Sequence, residues 1–148
     1  MKTYKSQIPK IGLKKEFTGL KKAKIQSSAD AYDYMKQFYS DDIEIYESMF
    51  LLLLNKANTT IGWVKLSQGG VAGTVIDIKL IAKYAVESLA SSVVIAHNHP
   101  SGNIQPSNAD INITKKVSDA LKLFDVTLLD HLIVTIDNYY SMADEGDL

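Results

Sequence analysis

The chain has 148 residues, 46% of them hydrophobic, and a formal net charge of −1, values that fit a single globular domain with a sizeable core. It contains no cysteine, which excludes disulfides, thiolate metal sites and cysteine nucleophiles. The longest apolar run, residues 49–54, is too short to span a bilayer, and the N-terminus lacks the apolar segment of a signal peptide. We therefore expect a cytoplasmic protein with no membrane partner.

The first 26 residues are predicted to form a basic arm that precedes a domain at residues 27–148. Residues 1–24 contain eight of the sixteen lysines and a single acid, Glu16. Such an arm can bind nucleic acid weakly and without sequence preference, or it can lie on its own domain. We favour the second alternative. The chain has no arginine and therefore no bidentate guanidinium contact to phosphate or guanine, which weakens a sequence-specific DNA interpretation.

The first half of the domain is predicted to contain a helix and a β-hairpin. The helix begins near Ser28, since apolar side chains recur there every three or four positions, at Ala31, Tyr32, Met35, Phe38 and Tyr39. The continuous apolar run Met49–Leu54 predicts a central buried strand, and residues 60–67 predict a strand paired with it. The glycine-rich residues 69–73 lack the spacing of a phosphate-binding loop, and we interpret them as a tight loop.

The second half is predicted to alternate helices and strands. Asp77 caps a helix whose buried face comprises Ile78, Ile81, Ala82, Ala85, Val86 and Leu89. A short strand at residues 92–96 leads to His97, and Ser107 begins a third helix with Ile113, Val117, Ala120, Leu121 and Phe124 facing inward. Residues 126–136 and 139–142 are closing strands. This order predicts an α/β fold in which one mixed β-sheet is sandwiched by helices.

The most informative pattern lies at residues 97–110, which follow H-x-H-P-x6-S-x2-D. His97 and His99 project to the same side of an extended chain, and Asp110 adds a carboxylate once the chain folds back through a turn. Two histidines and one carboxylate leave a fourth tetrahedral position for water, which is typical of a catalytic zinc site. Ser107 and Asp110 also fit a capping box, and the cap and ligand roles are compatible.

With this motif the sequence resembles the RadC family, a bacterial branch of the JAB/MPN fold that carries the JAMM metalloprotease-like motif. The resemblance covers residues 27–148, including the segments ESMFLLLLN at 47–55, SQGGVAGT at 67–74, ASSVVIAHNHPSG at 90–102, LLDHLI at 128–133 and YYSMADEG at 139–146. It implies a JAB/MPN-like (cytidine-deaminase-like) architecture with Zn²⁺ as the cofactor.

The resemblance also implies a role for individual residues. His97, His99 and Asp110 match the zinc ligands, Glu47 matches the glutamate that holds the metal-bound water, and Ser107 matches the serine that steadies the tetrahedral intermediate. Glu44 lies close to Glu47, but the strand that follows favours Glu47. Asp130 and His131 match the family too, and we expect His131 to be a buried structural residue.

The function that follows is a zinc-dependent hydrolase, a metallopeptidase or isopeptidase acting on an unidentified peptide or protein, in a family labelled as DNA repair. The alternatives are a metal-dependent nuclease and a DNA-repair accessory binding module. Longer RadC proteins carry a helix-hairpin-helix segment before this domain, and here the lysine-rich arm stands in its place, which weakens the DNA-repair interpretation. The sequence specifies no oligomeric state.

Overall fold

The computed structural model describes residues 7–69 and 76–148. Helix α1 spans Ser28–Met35 and continues as a 3₁₀ turn at Lys36–Phe38. The other elements are β1 (Ser48–Leu54), β2 (Thr60–Gln68), α2 (Ile78–Glu87), β3 (Ser92–Asn98), α3 (Asn108–Lys122), β4 (Thr127–Val134), β5 (Tyr139–Ser141) and α4 (Met142–Glu145). The predicted tight loop at residues 69–73 lies, except for Gly69, outside the described residues and stays a prediction.

The five strands form one mixed sheet in the order β2-β1-β3-β4-β5. Strand β1 pairs antiparallel with both β2 and β3, β3 pairs parallel with β4, and β4 pairs antiparallel with β5. Parallel neighbours need a crossover connection, and α3 supplies the crossover between β3 and β4. The predicted hairpin and mixed sheet are thus confirmed. Strand β1 is buried along its whole length, but β3 occupies the middle of the sheet.

Helices cover both faces of this sheet, as predicted. Helix α1 packs on one face, where its Tyr32 and Met35 join a buried apolar cluster that includes Leu52. Helices α2 and α3 pack on the other face, where Ile81 and Leu121 belong to a second cluster. Successive side chains of a strand point to opposite faces, so the continuous apolar runs in β1 and β3 supply both clusters.

Three residues predicted to be buried are exposed instead. Helix α2 ends at Glu87, and Leu89 has a φ of 55°. Leu89 therefore lies outside the helix and away from its buried face, and it is 84% exposed. Val86 lies beside that buried face and is 41% exposed. Helix α3 ends at Lys122, so Phe124 falls beyond its last turn and is 52% exposed.

Both terminal regions of the domain add detail to the prediction. At the C-terminus, β5 stops at Ser141, whose side chain accepts a hydrogen bond from Asp144 N and so begins the short helix α4, which the sequence had not indicated. Near the N-terminus, Trp63 Nε1 of β2 donates to Thr18 Oγ1 over 3.2 Å, and Ala23 and Thr60 exchange two hydrogen bonds of 2.9 Å. The end of the arm therefore lies on β2. The boundary at residue 26 stays a prediction.

None of the helices in the described part of the chain is long and apolar enough to cross a bilayer.

Candidate metal centre

The candidate site lies where the end of β3 meets the start of β1. These strands are antiparallel, and their register pairs Met49 with His97. Glu47, which directly precedes β1, is therefore brought to the same end of the sheet as His97 although the two are far apart in sequence. The first turn of α3 brings Asp110 to this point from the other side.

Four side chains converge here with short separations. His97 Nε2 and His99 Nε2 are 3.0 Å apart. Asp110 Oδ1 is 3.6 Å from His97 Nε2, and its Oδ2 is 3.6 Å from His99 Nε2. Glu47 Oε1 is 3.9 Å from each of the two Nε2 atoms. Within the described residues, Glu47, His97 and His99 form a group whose ligand atoms lie within 4.8 Å of one another and could hold a metal ion.

The side chains differ in their access to solvent. His97 is buried, whereas His99, Asp110 and Glu47 each keep a small exposed fraction. The site thus lies at the edge of the domain interior, with three of its four side chains in contact with solvent.

The ring of His99 is held so that Nε2 faces its neighbours. Its Nδ1 lies 2.6 Å from the carbonyl oxygen of Asn103. A carbonyl can only accept, so Nδ1 carries the hydrogen and, in the neutral ring, Nε2 keeps its lone pair. His97 Nδ1 in turn lies 2.6 Å from His131 Nε2. His131 is buried, as predicted, but it also contacts a residue of the site.

Charge and burial shift the pKa values of these groups in different directions. The Asp110 carboxylate beside the ring raises the pKa of His99 above its usual value, outweighing the lowering by partial burial. Burial acts to raise the pKa of the Asp110 carboxyl, but the neighbouring imidazoles of His97 and His99, each 3.6 Å away, together hold that pKa well below its usual range. Burial holds the pKa of His131 well below its usual value. Asp110 is therefore ionised and His131 neutral at neutral pH.

Ser107 and Asp110 form the predicted capping box at the start of α3. Ser107 Oγ accepts from Asp110 N over 3.0 Å, and Ser107 N donates to Asp110 Oδ2 over 2.9 Å. The cap fixes Asp110 in the first helical turn with its carboxylate turned toward the histidines.

Asn98 is a contributor that the sequence reasoning had missed. It lies between the two histidines of the motif and is buried. Its Oδ1 accepts from Ser48 N over 2.7 Å, and its Nδ2 donates to the carbonyl oxygens of Ile43 and Tyr46 over 2.6 and 2.8 Å. These bonds tie β3 to the backbone on both sides of Glu47. The sequence did contain one indication of this role, an asparagine at the end of an otherwise apolar strand. A buried amide is almost always hydrogen-bonded, so such a residue is expected to hold neighbouring backbone in place.

Comparison with known proteins agrees with this architecture. The family model of the RadC-like JAB domain matches residues 25–147. A "UPF0758 protein" of Flavobacterium johnsoniae is 44% identical over 127 residues, which cover 86% of this chain and 55% of the relative. Similar proteins from Porphyromonas gingivalis (44% over 123 residues, 82% of this chain and 53% of the relative) and Neisseria meningitidis serogroup B (44% over 103 residues, 70% and 46%) share the same name. The chain spans about half the length of these relatives.

Proposed function

Since this chain belongs to the RadC family and matches its RadC-like JAB domain, we propose that it is a zinc-dependent hydrolase of the metallopeptidase or isopeptidase class. One observation carries the proposal: two imidazole nitrogens and two carboxylates converge, each carboxylate within 3.9 Å of both nitrogens, with His97 buried and the other three side chains partly exposed to solvent. Imidazole and carboxylate ligands suit zinc.

The two carboxylates lie at different distances from the histidine nitrogens. Zinc bonds of about 2.0–2.1 Å in a tetrahedral site place neighbouring ligand atoms about 3.3–3.4 Å apart. The Asp110 oxygens, 3.6 Å from the histidine nitrogens, come close to this value, whereas Glu47 is more distant at 3.9 Å. With the roles that the family resemblance implies, we assign His97, His99 and Asp110 as ligands and Glu47, which also lies within reach of the same ion, as the general base.

The chemistry then follows from the chain's own side chains. When bound, Zn²⁺ would polarise a substrate carbonyl and acidify water. Glu47 would take a proton from the attacking water and deliver it to the leaving amine. The Ser107 hydroxyl accepts from Asp110 N and can still donate its own hydrogen, so it would stabilise the oxyanion, a contribution of about 3–4 kcal/mol for a good donor.

An amide substrate fits this site better than a phosphodiester. Phosphoryl transfer depends on cationic groups or a second metal that neutralise the developing charge. The groups that converge here are imidazoles and carboxylates, and the chain has no arginine. The absence of arginine leaves no guanidinium of this chain to neutralise the developing charge on a phosphoryl group.

The test is a panel of peptide, isopeptide and DNA substrates incubated with zinc-loaded protein, with and without a chelator. The proposal expects hydrolysis of an amide substrate that the chelator abolishes and added zinc restores. The double variant His97→Ala, His99→Ala is the matched negative control. Activity that the chelator leaves intact, or cleavage of DNA alone, would refute the assignment and favour a nuclease.

A further inference from the structure

A chain of hydrogen bonds runs through the interior behind His97. His97 Nδ1 lies 2.6 Å from His131 Nε2, and His131 Nδ1 lies 2.6 Å from Thr114 Oγ1. Thr114 Oγ1 donates to the carbonyl oxygen of Asp110 over 2.6 Å. His97, His131 and Thr114 are all buried, so water cannot readily substitute for any of these contacts.

The direction of every hydrogen in this chain follows from its last member. The Asp110 carbonyl can only accept, so the single hydroxyl hydrogen of Thr114 points toward it. Thr114 Oγ1 must then accept from His131 Nδ1–H. A neutral imidazole has one donor and one acceptor nitrogen, so with its hydrogen on Nδ1 His131 accepts at Nε2, and the donor is His97 Nδ1–H. His97 Nε2 is left with its lone pair.

This tautomer matters because only one form of a neutral imidazole can offer a given nitrogen to a metal. His99 reaches the same state by a direct bond to the Asn103 carbonyl. His97 Nδ1 instead contacts a second imidazole, that of His131, whose nitrogen could equally well donate or accept. Thr114 removes that ambiguity.

We propose that Thr114 and His131 are positioning residues that hold His97 with an unprotonated Nε2 and thereby set the affinity of the site for zinc. The inference rests on the proposed metal centre. This chain of hydrogen bonds from His97 through His131 and Thr114, called the relay below, ends on the backbone carbonyl of Asp110. The carboxylate of the same residue is 3.6 Å from His97 Nε2, where the chain began. One ligand is thus oriented through the backbone of another.

Thr114→Val and Thr114→Ser form the decisive pair. Valine keeps the shape of threonine and removes the hydroxyl, whereas serine keeps the hydroxyl and removes a methyl group. We expect Thr114→Val to raise the zinc dissociation constant about tenfold and His131→Phe to raise it about 10–100-fold, which is typical for residues that support metal ligands. Thr114→Ser should bind zinc as the wild type does. Competition with a chromogenic chelator measures these constants.

A second measurement does not depend on zinc. Imidazole ¹⁵N–¹H correlation spectra of the metal-free protein at mildly alkaline pH report which ring nitrogen carries hydrogen. The wild type and Thr114→Ser should show His97 and His131 with hydrogen on Nδ1, and Thr114→Val should show loss of this single tautomer at His131.

The outcomes separate the two proposals. Zinc binding by the wild type together with equal affinity in Thr114→Val and His131→Phe would overturn the relay and leave the metal centre standing. Hydrogen on Nε2 of His97 in the wild-type spectrum would also overturn it. No zinc binding by the wild type would overturn the metal centre, and the relay's role with it. If His131→Phe does not fold, the threonine pair still decides.

Discussion

The assignment of Asp110 as a ligand and Glu47 as a base can be tested by replacing each carboxylate with its amide. Asp110→Asn and Glu47→Gln are nearly isosteric, and the two residues face the same pair of histidine nitrogens at 3.6 and 3.9 Å. If Asp110 is the only one of the two carboxylates that binds zinc, Asp110→Asn should weaken zinc binding and Glu47→Gln should not. If only Glu47 moves the proton, Glu47→Gln should retain zinc and lose hydrolysis.

The size of the effect can be estimated from the free energy of zinc binding. Four-ligand sites bind zinc with about 10–16 kcal/mol, so one ligand accounts for about 2.5–4 kcal/mol. Asp110→Asn should therefore raise the zinc dissociation constant by about 10²–10³-fold. Glu47→Gln should lower the rate of amide hydrolysis by about 10²–10⁴-fold.

Chelator competition measures the zinc constants, and amide hydrolysis with saturating zinc measures the rates. Glu44→Gln is the matched control, because Glu44 is an exposed glutamate three residues from Glu47 and should change neither quantity. In the zinc measurement alone, Ser107→Ala controls for loss of the cap, which is worth about 1 kcal/mol of stability; its hydrolysis rate is not a control, because Ser107 is assigned to the oxyanion. Equal loss of zinc in Glu47→Gln and Asp110→Asn would refute the reasoning and make Glu47 a ligand.

Three further predictions concern the rest of the molecule. Asn98→Ala leaves one N–H and two carbonyls without the side chain that they contact, so urea denaturation should show a loss of about 3–5 kcal/mol; a loss below about 1 kcal/mol would contradict the tie. Burial raises the pKa of the Asp130 carboxyl, so its contribution to stability is present below the pKa of the unfolded chain and is lost as the pH rises through the folded-state pKa. Asp130→Asn should flatten that step in a series of thermal melts, and an unchanged curve would show that another group titrates. If the arm binds duplex DNA, anisotropy should give a log–log salt slope of about 2–5, and deleting residues 1–17 should abolish binding without affecting zinc; binding that survives the deletion would place the contact on the domain.

The sequence predicted the part of the site that depends on local geometry. The alternation of a strand brings His97 and His99 to one side, and the capping box fixes Asp110 in the first turn of a helix. Glu47 could be proposed only through the family resemblance, because its approach depends on the antiparallel register of β1 and β3. That register is a tertiary property.

The supporting contacts could not be predicted for the same reason. Thr114 lies on α3 and His131 on β4, and they meet only because the crossover helix packs against that strand. The errors at Leu89 and Phe124 have a different cause. Apolar periodicity predicts which face of a helix is buried while the helix lasts, and it contains little information on where the helix ends.

The carboxylate of Asp110 takes part both in the capping of α3 and in the proposed binding of zinc. Its Oδ2 accepts from Ser107 N at the start of α3 and also faces His99. If Asp110 binds zinc as proposed, the metal and the first turn of α3 are thermodynamically linked, and each must stabilise the other by the same free energy. Zinc should then slow amide hydrogen exchange at Ser107 and Asp110. Conversely, a substitution that frays this turn should release zinc even though it touches no ligand.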